Sequence, residues 1–97
     1  QAAAPLEPGR VTGPRLLGVT VAPARGGAPA AVKLDLDPAG DPAAHVVFEC
    51  SGGASVVQTN AGWELFASEP GPVRVTVFAA SRELRVARAE VVVQVAP

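Results

Sequence analysis

Methionine and tyrosine are absent from this 97-residue chain, and cysteine, histidine and tryptophan occur once each. A single cysteine excludes an internal disulfide, so the fold has to rest on its core alone. One cysteine and one histidine fall short of the roughly four ligands that a structural zinc site needs. An excess of one charge is missing too: eight Lys and Arg against nine Asp and Glu leave a net charge of −1. Charges this balanced and interspersed give no field to steer nucleic acid or an anionic membrane. No apolar run approaches the ~18 residues of a membrane-spanning helix. Neither nucleic-acid binding nor membrane insertion is expected.

What is present in quantity is small, apolar or turn-forming: ten glycines and ten prolines are spread through a chain rich in Ala and Val. That composition favours many short elements joined by turns over long helices. A chain of this length forms one domain and buries roughly two-thirds of its unfolded surface, enough for one two-layer core. The Gln1-Ala2-Ala3-Ala4-Pro5 start without Met suits a cleaved signal peptide or a fragment of a larger protein. The Ala/Pro/Arg/Val bias suits a high-GC bacterium. The expected location is outside the cell or on its surface, with the periplasm as the alternative.

The clearest strand follows a turn at Pro70-Gly71-Pro72. Val73, Val75 and Val77 alternate with Arg74 and Thr76 and continue to about Ala80, and alternation places the three valines on one face. Residues 1–15, with three prolines and scattered Leu6 and Val11, read as an extended arm or linker. The domain proper, 16–97, opens on a strand over 16–22 with Leu17, Val19 and Val21 inward. A loop spans 23–29. A second strand over 31–37 sends Val32, Leu34 and Leu36 inward and Lys33, Asp35 and Asp37 outward. Strands are also expected over 45–50 (Val46, Phe48 and Cys50 together), 55–59, 63–67 and about 85–95 (Ala89, Val91, Val93 and Val95 inward). Residues 83–90 could form a short helix, but Val91-Val92-Val93 follows with no stop signal. About seven short strands with frequent turns predict an all-β chain, an immunoglobulin-like antiparallel β-sandwich.

Glu69-Pro70-Gly71-Pro72-Val73-Arg74-Val75-Thr76-Val77, with the closing Val91-Val92-Val93-Gln94-Val95, resembles a bacterial immunoglobulin-like or PKD-like module. Gly52-Gly53, Ser55-Val56-Val57 and Trp63-Glu64-Leu65-Phe66 fit the middle of such a module, and the likeness spans about 16–96. The PKD signature is absent, since the corresponding stretch reads Val47-Phe48-Glu49-Cys50-Ser51-Gly52. Val73 stands where a corner tyrosine would be.

Candidate chemistry is sparse. His45 and Cys50 lie five residues apart on one expected strand, hence on opposite faces, and cannot converge as a base–nucleophile pair. Cys50 is expected to be a buried, inert thiol. Asp35, Asp37 and Asp41 form a weak calcium candidate, two carboxylates on one face with a third in the next turn. No serine has a Gly-x-Ser-x-Gly setting, and Glu64, Glu69, Glu83 and Glu90 show no readable partner. No catalytic residue and no cofactor is expected. Phe66 and Phe78 fall out of phase with their inward neighbours. Each either fills a bulge or strand end, or marks a contact surface.

The expected function is a non-catalytic module that contacts protein neighbours, copies of itself among them, on a bacterial surface protein. Leu6, Val11, Phe66 and Phe78 are the interaction candidates. One alternative is a complete subunit of a surface filament. Another is a carbohydrate-binding module, although one Trp and three Phe offer few stacking platforms.

Overall fold

The computed structural model describes residues 13–97. It contains strands and turns but no helix, in the order β1 (Arg15–Val21), β2 (Ala24–Arg25), β3 (Ala30–Asp37), β4 (His45–Cys50), β5 (Ser55–Thr59), β6 (Gly62–Phe66), β7 (Gly71–Ala80) and β8 (Val86–Ala96). Two four-stranded sheets pack together. One has the order β1-β3-β6-β5, the other β2-β8-β7-β4. All ladders are antiparallel except β2–β8.

The core forms where the inward faces of the sheets meet. β7 contributes Val73, Val75 and Val77, and β8 contributes Val93 and Val95. Val19, Val32 and Leu65 answer from the other sheet. Val75 and Val77 are fully buried. Beside them, Phe48 of β4 packs on Trp63 of β6 at 4.9 Å between ring centroids, tilted by 54°. This aromatic pair spans the two sheets, its tilt lying between the offset-stacked and edge-to-face arrangements that ring quadrupoles favour.

Alternation predicts the inward faces of β7 and β8 correctly; it fails in β1. The pairing steps from Leu16↔Leu36 to Gly18↔Asp35, so Leu17 is an extra residue in a β-bulge. Leu17 is therefore 63% exposed, and Leu16 packs against the core in its place. Leu36, also expected inward, is exposed because β3 outruns β6. Their ladder covers only Ala30, Ala31 and Val32, leaving the far end of β3 beside β1 alone.

β2 is the strand that sequence periodicity did not predict. It lies within the Pro23–Pro29 loop and pairs parallel with β8 through Ala24↔Val95 and Arg25↔Ala96. Just before it, the Ala22 N–H still donates to Ala31 O of the first sheet at 2.9 Å; just after it, the Gly26 N–H donates to Ala96 O at 2.8 Å. Pro23, which has no N–H to donate, marks the change of sheet.

β1 begins at Arg15, inside the expected arm, and Gly13 and Pro14 are buried. The Asp41 N–H donates to Gly13 O at 3.1 Å. Gly40 closes this corner because a Cβ there would stand 2.6 Å from the Arg15 backbone nitrogen. The rest of the arm, with Leu6 and Val11, lies outside the described residues.

Candidate interaction surface

The outward face of β4, β7 and β8 is built row by row from the ladder registers. His45, Ala80 and Val86 form the first row, and Val47, Phe78 and Arg88 the second. Glu49, Thr76 and Glu90 form the third, and Arg74 and Val92 the fourth. Val47, Val86 and Val92 are more than half exposed. Phe78 is half-buried between Val47 and Arg88.

Charge runs through the middle of this face. Glu90 takes Arg74 Nε on one carboxylate oxygen at 2.7 Å and Arg88 Nη2 on the other at 2.8 Å. Thr76, opposite Glu90, is buried although it points away from the core. It sits on the central strand, between Glu49 and Glu90 across the two ladders. Sequence reading left Glu90 without a partner. The 88/90 spacing on one strand already puts those two side chains on the same face; the 74/90 relation is visible only once β7 and β8 are placed in register.

Phe66 also points outward, but from the other sheet, where it is 39% exposed opposite Ser55. Phe66 and Phe78 therefore occupy opposite flanks of the molecule and form no common patch.

The acidic candidates are dispersed into local roles. Asp37 pairs with Arg15 at 3.5 Å, and its Oδ1 accepts the Ala39 N–H at 2.9 Å, closing the turn after β3. Asp35 faces Gly18 across the ladder. Asp41 is held through its backbone by Gly13. Among the described residues, no three His, Cys, Asp or Glu side chains are grouped to hold a metal ion.

His45 and Cys50 stand at opposite ends of β4. Cys50 is half-buried on the inward side, and burial pushes its thiol pKa up. It adjoins a shallow depression of 170 Å³ lined also by Glu49, Ser51, Arg74 and Thr76. The Ser51 hydroxyl there accepts the Arg74 backbone N–H at 2.9 Å. That bond ties the end of β4 to β7. Among the described residues, no helix is long and apolar enough to cross a membrane. No family model, curated protein or solved structure matches the chain.

Proposed function

We propose that this chain is an immunoglobulin-like module of a bacterial surface protein. It passes the polypeptide from one pole to the other and offers its outward faces to protein neighbours. The strand orders support the finer fold. β1-β3-β6-β5 follows the ABED sheet of the constant-type immunoglobulin domain, and β8-β7-β4 follows GFC. β2 is then the continuation of the first strand into the second sheet.

The observation that carries the functional reading is the separation of the two poles. Gly13, the first described residue, lies beside Asp41 at the end where β3 stops and β8 starts, and β8 ends at Ala96 at the other end. β8 alone is eleven residues long, about 35 Å at the usual rise per residue. Domains joined through opposite poles extend in a line, whereas domains joined through one pole fold back. Two copies fused in series should therefore scatter X-rays at high dilution as a rod close to double the single-copy length. A tandem no longer than one copy would count against the reading.

A further inference from the structure

β8 is the longest strand, and on one of its sides only two residues are laddered. Toward β7 it is laddered from Val86 to Val95. Toward the opposite side it meets only β2, at Val95 and Ala96. From Val86 to Gln94 that side has no strand partner among the described residues. β1 of the other sheet runs close along this side without a joining ladder, and Gly13 stands against Arg85 just before it, so what is open is the row of backbone N–H and C=O groups between them. An unpaired strand edge presents N–H and C=O groups ready for another chain.

The remaining edges are short or broken. β5 has five residues, β4 six and β2 two, and β1 is bulged at Leu17. Residues 86–94 contain no proline, glycine or bulge. Proteins blunt exposed edges with such devices; this one is left straight.

The outward residues of the bare segment are Val86, Arg88, Glu90 and Val92. Reversed, that order is Val, Glu, Arg, Val. We propose that the free edge of β8 pairs antiparallel with β8 of a second copy of this chain, in the register centred on Ala89. Val86 then faces the second copy's Val92, and Arg88 faces its Glu90, each twice over. Opposite charges and apolar pairs directly across an antiparallel ladder are favourable, and like charges there are not. Centring on Arg88 would set arginine against arginine, and centring on Glu90 would set glutamate against glutamate. Intermediate registers would flip one partner's faces. The paired segment, 86–92, stops short of Val95 and leaves β2 in place. Because the same strand pairs with itself about a two-fold axis, the assembly closes at two copies. It stands independently of the serial-module reading.

Sedimentation velocity on the full 97-residue chain, from micromolar to millimolar, tests the pairing. The wild type should form a reversible dimer. Arg88→Glu and Glu90→Arg each create like-charge pairs across the axis and should weaken self-association by about tenfold or more. Mixed in equal amounts, these two variants should form a heterodimer at least as tight as the wild type, because every glutamate then meets an arginine. Thermal melts establish that each variant is folded. If Glu90→Arg unfolds through loss of its Arg74 contact, Val86→Glu mixed with Val92→Lys runs the same test two positions out. A wild type monomeric at millimolar concentration, a folded Arg88→Glu that dimerises like the wild type, or two folded complementary variants that ignore each other would each overturn the proposal.

Discussion

The two sheets are built to different standards of regularity. In the β2-β8-β7-β4 sheet, ten consecutive residue pairs join β7 to β8 without interruption, and six join β4 to β7. In the β1-β3-β6-β5 sheet, a bulge breaks the β1–β3 ladder, and only three pairs join β3 to β6. A strand held in continuous register on one side has its phase fixed along its whole length. A strand with a short or bulged ladder lets individual residues trade sides. The β2-β8-β7-β4 sheet is thus where side-chain pattern and side-chain position agree, and the β1-β3-β6-β5 sheet is where they part.

The largest expected effect probes the regular sheet. Val75→Asp places an unpaired carboxylate in a fully buried site. That costs several kcal/mol or more, against a total stability of about 5–15 kcal/mol. The variant should lose its cooperative thermal transition by circular dichroism, and a melt near the wild-type temperature would erase the contrast at its stronger end.

The irregular sheet gives a smaller and more discriminating test at two adjacent leucines. Leu17→Ala, at the exposed bulge position, should change stability by no more than about 0.5 kcal/mol. Leu16→Ala, which removes packing from the core margin, should cost clearly more, toward the ~2 kcal/mol lower end for buried leucines. Denaturant midpoints read both. The reverse order would mean that simple alternation rules β1 and that the bulge is misplaced.

Cys50 reports on how firmly β4 is held against the core. Its inward placement and raised thiol pKa predict native-state labelling by a bulky thiol reagent well below the rate in denaturant. Equal rates would show that β4 is less firmly held by its single β7 ladder than the pairing implies.

The smallest effect lies in the hairpin that joins β7 to β8. Leu84, at φ 65° and 69% exposed, is the non-glycine residue with left-handed backbone among those described. The turn is closed by the Leu84 N–H to Ser81 O at 2.9 Å and the Arg85 N–H to the Ser81 hydroxyl at 3.2 Å. Leucine pays about 1–2 kcal/mol for that conformation, and glycine gives part of this back through its greater freedom when unfolded. Leu84→Gly should therefore stabilise by up to about 1 kcal/mol, read from the melting temperature.

Legibility in the sequence follows the same division. Val73, Val75, Val77, Val93 and Val95 could be placed inward from spacing alone, because their strands run uninterrupted between turn signals. Leu17 could not, since a bulge is a property of two strands and shows in neither sequence. β2 was hidden for a related reason: two residues after a proline carry no periodicity, and their partner lies about seventy positions on. For the surface, the outward phases of Phe66 and Phe78 were readable, but their placement on opposite sheets was not. The dispersal of Asp35, Asp37 and Asp41 depends on Arg15 and Gly13, which reach the turn only in the folded chain.

The β2–β8 pairing has a mechanical consequence. β2 and β8 run parallel, and among the described residues β1 begins at one pole and β8 ends at the other. Tension applied between the ends draws β8 one way along its axis and β1 with β2 the other. The Ala24, Arg25 and Gly26 connections to Val95 and Ala96 are then loaded side by side, not peeled one after another. Rupture must break them together. Forced unfolding is governed by the barrier and not by equilibrium stability, so a two-residue strand of small thermodynamic weight can set the force at which the whole domain yields.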